Sequence, residues 1–535
     1  MFRTFSIAAM LAVLAAASFF GGAVTFSHAQ SPMILHRGNG AEPESLDPLR
    51  AEGQWENHII GDMMLALYTE DAEANPIPGA ASSYEVSPDG LTWTFRLRDH
   101  SWSDGVPVTA DDFVFAYRRI LDPANAGKYA SILFDIKNAR LVNEGKLPVD
   151  ALGVSAIDAK TLSISLEHPA PYLLQMVMHQ TWFPVPKHKV EELGDDWVKA
   201  GNYVSNGPYV LAEWRPNDRV KLVKSPTFYD AANVKIDEIY FYPTEDTTAA
   251  VKRFRAGELD TQDQVSSQDV DWIKANLPGQ LKLEPYLALS YIAINMTYAP
   301  LSDIRVREAI NLAFDRETIA TKLLNFEEAP AYAVVPAKVA DWPGGNALSF
   351  KDLPYPDRVA RAKQLMEEAG YGPGNRLALR YEHGPQPDNK RIAAAFQAMM
   401  REIYVDLELR QSETKTLYVY LQEGDFQLGQ AAWVGDFNDA YNFLFLFESD
   451  NHGLNYGRWK NPDYDALIDK AQNTVDGKER QAIMAQAEKI ILDQFAFIPN
   501  RFLNTRNLVS PRVKGWITNI RDINRTRWLS VEQPS

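Results

Sequence analysis

Residues 102–119 read WSDGVPVTADDFVFAYRR. Trp102 and Gly105 read as a turn held by an aromatic anchor. Thr109, with Asp111 and Asp112 behind it, reads as a helix start. Its hydroxyl can accept from free first-turn amides, and the two acids suit the positive end of the helix dipole. Phe113, Phe115 and Tyr117 then face packing surfaces. The stretch reads as scaffold and not as a ligand contact.

Upstream, Thr92 to Arg98 alternates strictly, with Trp93, Phe95 and Leu97 on one side and Thr94, Arg96 and Arg98 on the other. Following the turn Pro88-Asp89-Gly90, this is a half-buried strand. Ile239 to Tyr242 and Leu287 to Ile294 also read as strands. Downstream, Asp303 can cap a helix from Arg305 to Asn325, with an apolar stripe of Val306, Ala309, Ile310, Ala313 and Phe314. A second helix runs from Asp357 to Ala369 and stops at Gly370. Asp476 with Glu479 resembles a capping box, followed by a stripe of Ile483, Ala487, Ile490 and Ile491 to about Gln494. Strands and helices interleaved in this way predict an α/β protein with more than one sheet. A single core rarely exceeds about 250–300 residues, so a chain of 535 predicts two or more lobes.

The N-terminus carries the layout of a secretory signal: Arg3, an uncharged apolar run from Ile7 to Phe20, and a small-x-small site at Ser27-His28-Ala29. The mature chain is expected to begin at Gln30. The run is short for a spanning helix, which needs about 20 residues, although an uncleaved anchor is the alternative reading. The chain has no cysteine, which excludes disulfides, thiolate metal sites, a cysteine nucleophile and a lipidated N-terminal cysteine. The net charge of −16 disfavours nucleic acid and anionic lipid but suits a cationic or zwitterionic ligand. Twelve Trp and 23 Tyr can supply flat cavity walls with polar edges, though most are expected in the core.

Four further segments accompany residues 102–119 in order: AEPESLDP at 41–48, VSNGPY at 204–209, DIRVREAINLAFDR at 303–316 and AWVGDFN at 432–438. Together they resemble the oligopeptide-binding proteins of ABC importers, from about Met33 to the C-terminus. The resemblance implies a type II periplasmic binding protein fold of three lobes, with a ligand cleft closed about a pair of hinge strands. It implies lobe I from residues 30–64, 189–286 and 504–535, lobe II from 65–188, and lobe III from 287–503. It further implies a monomeric periplasmic protein that binds a peptide, passes it to membrane permease and ATPase subunits, and needs no cofactor.

Asp436 is the sharpest candidate. It follows Gly435 at the end of the apolar run Phe426 to Val434, and ligands of open α/β proteins bind beyond the carboxyl ends of strands. Gly435 permits close backbone approach. A partly desolvated carboxylate there needs a cation, which a ligand's ammonium can supply together with three donors. The residues alone leave a second reading, an N-cap for a helix near Asn438. The resemblance implies that Asp436 holds the peptide's N-terminus. By the same resemblance, the backbone of Glu52, Gly53 and Gln54 runs beside the peptide and Tyr129 lines the cleft. Ala288 to Tyr291 is implied to pair with the ligand as an added strand. Trp433 shares the segment of Asp436. Ordinary packing is the alternative for each of these.

The sequence departs from the family where the peptide carboxylate is received. Leu421, Gln430 and Asn389 stand where arginines or a histidine would lie, and Arg380, His383, Lys390 and Lys415 read more simply as surface charges. The amino end of the ligand is therefore specified and the carboxyl end is not. A long peptide, or a murein-derived one with γ-linked and D-residues, would fit such a site. An enzyme is not expected, since G-x-S-x-G, H-E-x-x-H and P-loop patterns are missing and the nine histidines form no ligand-spaced pair.

Overall fold

The run PYLALSYIAI forms the strand Pro285–Ile294, nearly all of it buried. Continuous apolar runs of this kind are stable only where both faces and both edges are covered. Here it lies inside a six-stranded sheet ordered Ala329–Pro330, Phe497–Asn504, Pro285–Ile294, Leu428–Val434, Leu377–His383 and Val405–Gln411. The computed structural model describes residues 31–532. The signal segment proposed for residues 1–29 lies outside the described residues. Among those described, no helix is long and apolar enough to cross a membrane.

A second sheet of seven strands joins the two ends of the described chain. Ile34–Gly38 runs parallel to Glu238–Tyr242, and Asn507–Val509 pairs with Thr261–Gln262 and Leu281–Lys282. A third sheet of four strands contains Thr92–Leu97, with Trp93, Phe95 and Leu97 buried as the alternation requires. The seven- and four-stranded sheets share one apolar cluster, which includes Leu35, Ile239, Phe95 and Leu162, and the six-stranded sheet has its own. The chain passes from the seven-stranded to the six-stranded sheet just after Lys282 and returns just after Asn504. The two crossings are bonded to each other, with Thr505 N–H donating to Glu284 O at 2.8 Å. Two short, paired connections between separate sheets are the architecture of a hinge.

Residues 102–119 act as scaffold. Trp102, Phe113 and Tyr117 are fully buried, and Gly105 takes φ +90° in the turn. Thr109 and Asp112 form a capping box at the start of the helix Ala110–Leu121, with Thr109 N–H donating to Asp112 Oδ2 at 2.9 Å. Asp476 caps the helix Gly477–Asp493 through Glu479 N–H at 2.8 Å.

One helix differs from its expectation. The stretch 305–325 is not continuous: Ile304–Ala313 ends at Phe314, which is extended with ψ 106°. Asp315 then starts a new turn, its carboxylate accepting from Thr318 N–H at 3.1 Å and Thr318 Oγ1 at 2.7 Å. A short acidic side chain competes with the helix for local donors. The break lets the fully buried Arg316 reach across to donate to Pro499 O at 3.0 Å.

Candidate functional site

The strand Leu428–Val434 pairs with Pro285–Ile294 over seven consecutive positions, from Ile294↔Leu428 to Ala288↔Val434. Gly435 continues that register, its N–H donating to Leu287 O at 2.7 Å. A Cβ on Gly435 would lie 2.7 Å from Leu287 Cδ2, so the close approach requires glycine or a shift of Leu287. Past Gly435 the chain turns away from the sheet and is held from several sides. Asp436 O accepts from Arg521 Nη2 at 3.0 Å, the Phe437 ring stacks on Tyr172 at 4.6 Å, and Asn438 N–H donates to Gln175 Oε1 at 2.6 Å. Asp439 receives both prongs of buried Arg480, at 2.7 and 2.9 Å. Such two-pronged charged bonds fix geometry as well as supply energy.

The Asp436 side chain is thereby presented to a cavity of about 690 Å³. Tyr129 Oη donates to its Oδ2 at 2.6 Å, and His179 Nε2 stands 3.9 Å from its Oδ1. Burial pushes the Asp436 carboxyl up to about 6, against the downward pull of the Tyr129 hydrogen bond and the Arg521 charge. Burial, reinforced by Arg521 and Arg525, pushes His179 down to about 3, so this imidazole is neutral at pH 7. Asp436 caps no helix: the next one, Tyr441–Leu444, starts at Ala440. The capping alternative is therefore set aside. The environment is that of a desolvated anion whose neighbours stabilise it only in part, and it lacks a cation within salt-bridge distance among the described residues.

Of the other residues singled out from the sequence, Glu52, Gly53, Gln54, Tyr129, Trp433 and Gly435 line the same cavity. Trp433 Nε1 is held by Asn442 Oδ1 at 2.9 Å, which sets the indole against the cavity. The backbone of Gly53 is occupied within the protein, its N–H by Glu56 Oε2 at 2.9 Å and its C=O by Asn57 N–H at 3.1 Å. Gln54 Nε2 is bonded to Tyr286 Oη. Ala288 and Tyr291 are not among the residues that line the cavity. Their strand is paired on both edges, with Leu428–Val434 and with Phe497–Asn504, and both residues are buried beneath the cavity wall. On the second edge the register is irregular between Pro285 and Leu289.

The sequence reading missed Arg521, Asp522, His179, Tyr418 and Tyr456, all of which line the cavity. Arg521 and Asp522 lie in an irregular segment with no periodicity, and His179 is an isolated histidine. Nothing local marks any of them. None of the four charges considered for a ligand carboxylate is among the residues lining the cavity, and His383 is buried rather than a surface charge. Arg380 pairs with Asp425 at 2.9 Å, and Lys415 is 92% exposed, 3.8 Å from Glu44. Gln430 accepts from Gly384 N–H at 3.1 Å, and Leu421 is in the core.

Residues 75–455 match the family model of bacterial extracellular solute-binding proteins, family 5 (middle). The chain belongs to that family. Among family 5 relatives, the periplasmic oligopeptide-binding protein OppA of Escherichia coli is 34% identical over 494 residues, covering 90% of this chain and 89% of OppA. The probable deoxycholate-binding periplasmic protein YgiS of the same organism is 34% identical over 514 residues, covering 95% of each. The solved structure of the E. coli murein tripeptide-binding protein MppA superposes with a TM-score of 0.86 at 33% identity, over 94% of this chain and 99% of that one. The family 5 chain therefore has the type II periplasmic binding protein fold, and the cavity lies where its separate sheets meet.

Proposed function

We propose that this protein captures peptides in the cavity and delivers them to the permease and ATPase subunits of an ABC importer, with the ligand's terminal ammonium on Asp436. The observation that carries this reading is the Asp436 carboxylate itself, enclosed in the cavity, bonded to Tyr129 and, among the described residues, without a lysine or arginine within salt-bridge distance. An ammonium returns the missing charge, and Oδ1 is left to accept from it. The three sheets support the lobe boundaries given above, and the paired crossings near residues 284 and 505 support hinge closure over the ligand. A ligand that favours the closed arrangement shifts the equilibrium by its differential affinity. The protein acts in the periplasm as a monomer, after cleavage behind Ala29 and without a lipid anchor. It releases its cargo chemically unchanged.

Murein-derived peptides remain within this reading, since they carry the same terminal amine. A bile acid, the cargo in the name of YgiS, has a carboxylate and no amine, and the carboxylate of Asp436 disfavours it. Mass spectrometry of ligand released from purified protein tests the proposal directly. Amine-bearing peptides are expected, and recovery of only amine-free ligands would refute it.

A further inference from the structure

Phe437 is buried in a core that its own sheet does not build. In sequence it lies between two strands of the six-stranded sheet, Leu428–Val434 and Phe497–Asn504. Yet it packs in the apolar cluster of the seven- and four-stranded sheets, and among the described residues 287–503 it is the only buried apolar side chain there. Its partner is Tyr172, which follows the last strand of the four-stranded sheet in sequence, Thr161–Ser165. The two rings lie nearly parallel, 14° apart in plane with centroids 4.6 Å apart. Tyr441 stacks on Tyr172 as well, at 6.2 Å, and the Arg480 guanidinium lies 5.1 Å from the centre of the same ring. Arg480 is kept in place by its two bonds to Asp439. Three residues further along the Tyr172 segment, Gln175 Oε1 accepts from Asn438 N–H at 2.6 Å.

Tyr172, Gln175 and Phe437 are not among the residues that line the cavity, whereas Asp436, the neighbour of Phe437, is. One turn of chain therefore presents a carboxylate to the cavity and a ring to the opposite body. The chain crosses between the two bodies only near residues 284 and 505. Two short crossings leave rotation about them open, so contacts elsewhere must hold the bodies together. Parting them would return the faces of Phe437 and Tyr172 to water, which favours the joined arrangement.

We infer that Tyr172 and Phe437 form a clasp that sets the closed fraction of the protein, and through it ligand affinity, from outside the cavity. This rests on the hinge closure proposed above and not on the kind of ligand. Tyr172 Oη has no hydrogen-bond partner among the described residues, so Tyr172→Phe keeps the clasp while Tyr172→Leu removes the stacked ring. The chain has no cysteine, so a dye pair can be placed at Ile157→Cys and Val475→Cys, one in each body and 63% and 62% exposed. Single-molecule energy transfer then reads the closed-to-open ratio, first without ligand and then during titration with an equimolar mixture of synthetic tripeptides. In Tyr172→Leu the ratio is expected to be about tenfold lower, and the tripeptide concentration at half closure about tenfold higher, while Tyr172→Phe stays within about twofold of the parent. A residue that only packs its own body would lower the melting temperature and leave closure unchanged. Closure in Tyr172→Leu equal to that of the parent would therefore overturn the clasp and leave the peptide reading standing. If tripeptides close neither protein, the peptide reading fails, and an equal ligand-free ratio in the two would overturn the clasp as well.

Discussion

Tyr129 and Asp436, 307 positions apart, meet in a 2.6 Å hydrogen bond at the edge of the cavity. One comes from the segment just after the helix Ala110–Leu121, the other from the end of a strand in the six-stranded sheet. The bond aims the carboxylate, leaves its second oxygen free, and keeps its proton affinity lower than burial alone would set.

Asp436→Asn keeps the shape of the side chain and removes its charge. Peptide affinity is expected to fall by about 3–5 kcal/mol, since a buried ammonium loses its counter-charge. Calorimetry on mutant protein with unchanged circular dichroism checks this. Unchanged affinity removes Asp436 from the site.

Ligand affinity should depend on pH with a maximum between about 6 and 8. The Asp436 carboxyl sits at about 6 in the empty cavity and must be ionised to receive an ammonium. Below that value binding has to expel a proton, so affinity falls about tenfold per pH unit. Above about 8 a free α-amine loses its charge, and affinity falls again. Calorimetry at pH 5.5 in two buffers of different ionisation enthalpy should detect proton release.

Tyr129→Phe removes the hydroxyl that favours the ionised form of Asp436. The acid limb of that profile should therefore move to higher pH. The loss of affinity should be small at pH 7.5, about 1 kcal/mol or less, and larger at pH 6. An affinity that drops equally at both pH values would mean that Tyr129 acts by packing alone.

The same burial costs stability when the ligand is absent. Asp436 and Asp522 are both raised to about 6, so between pH 4 and 6 the folded state holds more protons than the unfolded one. Stability of the ligand-free protein from these groups therefore falls as pH rises through that window, by up to about 3 kcal/mol for each. Asp436→Asn should raise the ligand-free Tm at pH 7 more than at pH 4, as read by calorimetric melting.

Gly435→Ala would bring a methyl group to within 2.7 Å of Leu287 Cδ2. Leu287 is buried, so the expected cost is about 1–3 kcal/mol of stability, with weaker ligand binding as Asp436 is displaced. Denaturant melts and calorimetry separate the two effects.

The sequence by itself determined the mixed α/β class, the strand at residues 92–98, the helix starts at Thr109, Asp303 and Asp476, and Asp436 as the leading candidate. Local pattern carries these because alternation, caps and glycine stops act between neighbours a few residues apart. The tertiary structure alone decided the rest. Phe314 breaks a helix because Asp315 finds its own donor and Arg316 has a distant carbonyl to reach. Ala288 to Tyr291 lies off the cavity lining because its strand is packed between residues 428–434 and 497–504. Arg521, 85 positions from Asp436, became part of the site through one side chain crossing from an irregular segment. No periodicity records such a contact, because it depends on where separate sheets come to rest. For that reason the sequence could name the acid, while only the tertiary structure decided which side chains stand around it.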